Sequence, residues 1–268
     1  MPFTPSHAVV ALPFARTVLP ASAVAVGAMT PDLPLFTRQL PIPYVVTHDP
    51  RAILVTTAMA AVLWLVWRVV LRPAVRPLAP TWLARRLPEA WDASPRRQFE
   101  TLAARTVRAR VTVIAWWVLA LAMGVATHLV WDAFSHEGRW GSAIIPALAQ
   151  MWGPLDGYRW VQYTSSAFGL LVLAVWATMT LARSPRMPAP RANRYLRLAW
   201  WASLPAILVL AWVCGLVIGG GFTHEYTPQH LAYRVLPPAA ALWGVVTVAL
   251  CVRVQWRTPR SAADTWLA

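Results

Sequence analysis

Residues 111–132 read VTVIAWWVLALAMGVATHLVWD. No charged side chain interrupts Val111–Trp131, and a helix needs roughly 20 such residues to cross the hydrocarbon of a bilayer. The stretch closes on His128 and Asp132, four residues apart. It therefore reads as a transmembrane helix with polar chemistry at one end. Four further runs are long enough to span: Ala52–Leu71, Thr164–Ala182, Leu198–Gly219 and Leu236–Val254. The expected fold is all-α, a polytopic integral membrane protein with about five transmembrane helices.

Composition agrees. Hydrophobic residues make up 58% of the 268 and charged residues 13%, against about 25% charged in a soluble domain. Mean hydropathy is +0.49. Too few charges exist to cover a water-facing surface, so a string of soluble domains is excluded. Trp and Tyr gather near the ends of several runs, as in Trp64, Trp67, Trp131, Trp160, Tyr163, Trp200, Trp201 and Trp256, where amphipathic rings favour the headgroup level. Cys214 and Cys251 both lie within apolar runs and read as packed hydrophobes rather than a disulfide or a metal pair.

The net charge of +14 comes from arginine; the chain contains no lysine. A basic balance can signal nucleic acid. Here the arginines fall between apolar runs, so topology and anionic headgroups explain them and no nucleic-acid partner is expected. The loop after the first run carries Arg72, Arg76, Arg85, Arg86, Arg96, Arg97, Arg105, Arg108 and Arg110. The next alternate loop carries Arg183, Arg186, Arg191, Arg194 and Arg197, and the tail carries Arg253, Arg257 and Arg260. The positive-inside rule puts these on the cytoplasmic face of a bacterial inner membrane, with the C-terminus inside. Within the first of these loops, Trp82, Leu83, Leu87 and Trp91 alongside Arg85 and Arg86 suit an interfacial segment. Ser94-Pro95 resembles a helix start leading into the second span.

The first fifty residues differ. His7–Arg16 and Ala21–Met29 are short apolar pieces split by Leu19-Pro20. Arg16 and the prolines disfavour one straight span, although the length would allow a sixth. A short helical hairpin is expected instead, and it returns His7 close to Asp32.

The spacing of His128 and Asp132 puts both on one helical face. An imidazole nitrogen and a carboxylate oxygen on adjacent turns can reach one divalent cation. His136 comes four residues later. Given the hairpin and the arginine topology, all six histidines, with Asp32, Asp49 and Glu225, fall on the extracytoplasmic side. The alternative is that such residues gather at helix ends because interfaces tolerate them. No G-x-S-x-G elbow or phosphate-binding G-x-x-x-x-G-K loop is present. No acid sits midway along a span, and no repeat symmetry suggests a transporter.

Several strings together resemble a family. The opening MPFTPSH (Met1–His7), GAMTPDLP (Gly27–Pro34), GVATHLVWDAFSH (Gly124–His136) with Trp140-Gly141, and Tyr158–Ser166 are similar to the bacterial family called domain of unknown function 4184. The likeness covers most of 1–182; residues 183–268 add two further helices and a basic tail to the same membrane domain. More distantly the pattern resembles inner-membrane metal-dependent hydrolases and zinc-dependent phospholipase C-like proteins. That likeness implies His7, Asp32, His48, His128 and Asp132 as ligands of one or two divalent ions, zinc first. Where those relatives carry a richer His motif, this chain has only Thr47-His-Asp-Pro-Arg51, a departure that bears on His48. The expected activity is metal-dependent hydrolysis at an outward-facing site, on a lipid or lipid-linked phosphoester, with Asp49 or Glu137 as general base. The competing expectation is a non-enzymatic membrane protein whose polar cluster supports helix packing or a partner.

The arginine asymmetry makes the topology testable. In a cysteine-free background, single cysteines at Ser94 and Arg191 are expected to resist a membrane-impermeant thiol reagent in intact cells, while one at Gly157 reacts. The reverse pattern would invert the topology.

Overall fold

The computed structural model describes residues 3–37, 41–93, 106–190, 193–224 and 226–257. A 3-10 helix, Thr4–Phe14, precedes α1 (Ala21–Met29). Beyond them come five helices long and apolar enough to cross a membrane: α2 (Pro50–Leu78), α3 (Val107–Ser135), α4 (Gly157–Arg183), α5 (Arg194–Gly219) and α6 (Pro228–Gln255). The protein is thus a multi-pass, all-α membrane protein. Among the described residues the only strands are the two-residue pair Met151–Trp152 and Leu155–Asp156, joined through Gly153 at φ 73°.

The N-terminal hairpin is present, since the 3-10 helix and α1 pack against each other across the turn that contains Leu19 and Pro20. The helix start expected at Ser94-Pro95 lies outside the described residues. The observed N-cap of α3 is Thr106, whose side chain accepts from the Ala109 N–H, satisfying one of the orphan donors of the first turn.

The chain folds as two compact units. The first contains the hairpin, the segment from Pro41 through α2 to Leu65, α3 and α4. Its central contact is between α1 and α3. A Cβ on Gly27 would lie 2.3 Å from the Leu121 carbonyl oxygen, and one on Gly124 would lie 2.2 Å from that of Val24. Only glycine at both positions lets the backbones approach this closely, the small-residue device of membrane helix packing. Ala23, Val24, Ala28, Ala120, Leu121 and Val125 are buried around it. On the other side, Gly169 of α4 makes room for Ser6 of the 3-10 helix, and the Phe3 N–H donates to Ser166 Oγ at 3.1 Å.

The second unit contains the rest of α2, the segment after it, α5 and α6. Ala74, Leu78 and Cys251 form its small core, whereas Cys214 is exposed rather than packed. Up to Ala93, the arginine-rich segment is folded. Arg76, 2% exposed, pairs with Asp92 and donates to the carbonyls of Ala84 and Pro188. Arg197 reaches the Pro77 carbonyl and Thr81 Oγ1, and the Trp201 indole donates to the Leu78 carbonyl at 2.9 Å. Trp91 packs edge-on against Trp67, and Trp82 is exposed.

The glycine contact predicts a sharp asymmetry. Gly124→Ala is expected to lower stability by roughly 1–3 kcal/mol through overpacking against backbone. Gly244→Ala, where an added Cβ meets nothing, should fall within about 0.5 kcal/mol of wild type. Unfolding in mixed micelles measures both.

Candidate metal centre

Four polar side chains of the first unit converge. Asp32 is placed by the short 3-10 turn Thr30–Asp32 after α1, with Pro31 at its first positions. His48 comes after the helical turn Tyr44–Thr47 and immediately before α2, whose start is capped by Asp49 accepting from the Arg51 N–H at 2.8 Å. Thr47 Oγ1 donates to the Pro31 carbonyl at 2.7 Å, which ties the His48 segment to the Asp32 turn. His128 and Asp132 come from the last two turns of α3. All four therefore gather at the C-terminal end of α3.

The distances fit one ion. His48 Nε2 and His128 Nε2 are 3.2 Å apart. Each lies 3.4 Å from Asp132 Oδ2 and 3.7 Å from Asp32 Oδ1. The four atoms lie within 4.8 Å of one another and all four residues are buried. Bonds of about 2.0–2.1 Å around a tetrahedral zinc would hold its ligand atoms about 3.3 Å apart. The set is therefore close to the corners of one tetrahedron.

Hydrogen bonding prepares the same atoms. His128 Nδ1 lies 2.7 Å from the Ala28 carbonyl oxygen, and His48 Nδ1 lies 3.1 Å from that of Tyr44. A carbonyl can only accept, so each Nδ1 carries the proton and each Nε2 is a lone pair. Two lone pairs then face each other at 3.2 Å, an arrangement a cation relieves. Backbone carbonyls behind ligating imidazoles are the usual supporting shell of a metal site. Tyr44 stacks on the His48 ring at 3.7 Å. Thr4 Oγ1 donates to Asp32 Oδ2 at 2.6 Å and leaves Oδ1 for the cluster. Neither oxygen of Asp132 has a hydrogen-bond partner among the described residues. A buried carboxylate without donors is costly unless a cation compensates it.

Of the other expected residues, His7 returns beside the cluster but outside the set of four. Its ring stacks on His128 at 4.2 Å between centroids, and its Nε2 lies 3.8 Å from Asp132 Oδ1. The bond from the hairpin to Asp32 comes from Thr4 instead. Burial pushes the His7 imidazole down to about 3, so it is neutral and able to ligate near pH 7. Burial pushes the Asp32 carboxyl up, opposed by the hydrogen bond from Thr4. Asp49 is engaged in capping the start of α2. Glu137 Oε2 accepts from the Tyr158 hydroxyl at 3.3 Å. His224 and His230 belong to the second unit. Sequence reasoning missed Thr4 and Thr47; a hydroxyl beside each metal-type motif was the available signal.

The fold and this cluster define a polytopic α-helical membrane protein with a buried His/Asp site that could hold a metal ion. The chain belongs to the family described as Domain of unknown function (DUF4184), whose model matches residues 1–254. No curated protein and no solved structure matches it.

Thr4→Val removes the donor to Asp32 with little change in volume. Zinc affinity is expected to fall about 10–100-fold, the usual cost of losing a supporting hydrogen bond, as read by competition with a chromogenic chelator. Unchanged affinity would remove Asp32 from the ligand set.

Proposed function

We propose that this protein is a membrane-embedded, metal-dependent hydrolase of a bacterial inner membrane, with its site facing outward. The observation that carries the reading is the near-tetrahedral set of Asp32, His48, His128 and Asp132, with His7 against it. When bound, a divalent ion, zinc first, would supply Lewis acidity that activates water and polarises a phosphoryl oxygen. The chain's own residues do the rest. Ala28 and Tyr44 fix the two imidazoles through their carbonyls, Thr4 orients Asp32, and α3 holds His128 and Asp132 one turn apart.

A phosphoester suits the surroundings. The positive charge of Arg139 acts on both the Tyr44 hydroxyl and His136. Cationic side chains at such a position stabilise the charge of a transferring phosphoryl group. Placement at the end of a span puts the site at the headgroup level, which favours a lipid or lipid-linked substrate. Glu137, exposed and one residue beyond His136, is the remaining carboxylate for proton transfer.

A second reading has one specific observation behind it. Four protein ligands close a tetrahedral site, as structural zinc sites do, and these four join three separate segments. On that reading the ion staples the hairpin, the segment before α2 and α3, and nothing is hydrolysed.

One experiment separates the two. Full-length protein in detergent is analysed for zinc and assayed on bis(p-nitrophenyl) phosphate and on phosphatidylglycerol vesicles, beside His128→Ala and Asp132→Ala. The hydrolase reading expects near-stoichiometric zinc and turnover, with both variants losing metal and at least ~100-fold in rate while still inserting. Metal without turnover on either substrate, with stability lost in the variants, would favour the staple. Absence of metal from wild type would overturn both.

A further inference from the structure

The link from α3 to α4 is built unlike a water-facing loop. Residues 140–155 carry no charged side chain, and Ser142 and Gln150 are their only polar ones besides two indoles. Yet every residue from Ala143 to Trp152 except Leu148 is exposed. Ile144 is 67% exposed and Met151 63%, while Trp140 and Trp152 are about half exposed. Contiguous apolar surface of this kind marks a protein partner or a membrane rather than water.

The link is pinned at the level of the helix ends. At its start Gly141 packs against the last turns of α3, where an added Cβ would lie 2.5 Å from the Ala133 carbonyl oxygen. Trp140 meets the Phe134 ring edge-on at 5.3 Å. Midway, Leu148 is buried, and its Cα is 3.0 Å from where a Cβ on Gly157 would stand. At its end the Trp160 indole of α4 donates to the Trp152 carbonyl at 2.8 Å. Start, middle and end thus touch two spanning helices, and the link cannot project away from the membrane. Those helix ends expose rings of their own, Trp131 on α3 and Trp160 and Tyr163 on α4. The apolar surface of the link therefore continues the lipid-facing surface of the spans.

Its backbone suits that depth, where polar groups have to be satisfied within the protein. The Ala143 and Ile145 N–H groups donate to the carbonyls of Arg139 and Gly141, those of Leu148 and Gln150 to Ile145 and Ala147, and that of Gly157 to Gln150. The Ser142 hydroxyl donates to the Arg139 carbonyl at 2.7 Å. Pro146 and Pro154 have no N–H to satisfy. Charge is confined to the margins, with Arg139 before the link and the Arg159–Asp156 pair at 3.3 Å after it.

We infer that residues 140–155 lie immersed in the leaflet at this end of α3, as a non-spanning docking surface for the lipids of that leaflet. The occupant is lipid rather than a second protein, because the surface is continuous with the lipid-facing spans and is bordered by arginines suited to headgroup phosphates. The link also adjoins the candidate metal centre. Its first flank, Arg139, acts by charge on His136 and Tyr44, so lipid seated on the link lies next to the cluster. This consequence rests on the hydrolase reading and narrows it: the substrate is a bilayer-resident ester that reaches the centre sideways from the leaflet, not a soluble one that arrives from water.

The test uses full-length protein with Cys214 and Cys251 replaced, carrying a nitroxide on a single cysteine at Ile144 or Met151, in phosphatidylcholine vesicles. Power-saturation EPR compares collisions with molecular oxygen, which partitions into lipid, and with a water-soluble nickel chelate. Both labels are expected to favour oxygen, at a shallower depth than a label at the half-exposed Leu119 within α3. Labels that favour the nickel chelate would overturn the immersion. Labels immobilised and shielded from both reagents would also overturn it, by placing a second copy of the chain on the surface. Delivery to the centre is read separately. Ile144→Asp combined with Met151→Asp should lower hydrolysis of phosphatidylglycerol vesicles about tenfold or more and leave the rate on bis(p-nitrophenyl) phosphate unchanged. Equal loss on both substrates, or loss on neither, would overturn delivery. Wild type that hydrolyses neither substrate would sink the hydrolase reading, while the depth measurement would still decide the immersion.

Discussion

Between α1 and α3 no side chain separates the backbones at Gly27 and Gly124. That closeness sets the register of both helices up to the polar cluster. One turn beyond Gly124, His128 comes within 2.7 Å of the Ala28 carbonyl, and α1 runs directly into the turn that carries Asp32. A side chain at either glycine would force the helices apart and dissolve this register. In a bilayer, where burial of apolar surface does not drive helices together, such close van der Waals approach is a main source of association. The polar cluster therefore depends on two residues that have no side chains of their own.

The cluster in turn constrains the fold. A buried carboxylate with no donor, as Asp132 is, and imidazole lone pairs facing one another are costly in a low-dielectric interior. A divalent cation compensates both at once, and its binding energy would then add to the stability of the folded unit. The segments it would join, the hairpin, the turn before α2 and the end of α3, are also tied by the bonds from Thr47 to Pro31 and from His128 to Ala28. A metal held there would tie these segments together whether or not it also activates water.

Much of this architecture is legible in the residues. Five apolar runs announce five spans, because a bilayer imposes a length that few other environments require. The hairpin is implied by Leu19-Pro20 and Arg16, and the pairing of His128 with Asp132 by a spacing of four. The hidden parts are those set by tertiary approach. Nothing local in Thr47-His48-Asp49 shows that the threonine would bond the Pro31 carbonyl and swing the neighbouring ring onto His128. Gly27 and Gly124 open two of the family-like strings, yet a glycine within an apolar helix does not reveal which helix it meets. His136 follows Asp132 by four residues, and as the C-cap of α3 it turns its ring back on the Asp132 carbonyl. The arginine loop reads as a topology signal with an interfacial segment, while Arg76 is buried against Asp92 and two carbonyls, pairings that include a segment distant in sequence.

The central claim is that imidazole and carboxylate atoms from these segments ligate a metal. X-ray absorption at the zinc edge of the purified, zinc-loaded protein tests it most directly. The account predicts a first shell of nitrogen and oxygen alone at about 2.0–2.1 Å, with the outer-shell scattering of at least two imidazoles, reduced by one imidazole in His48→Ala. A shell containing sulfur from Cys214 or Cys251, or an unchanged imidazole count in His48→Ala and His128→Ala, would contradict it.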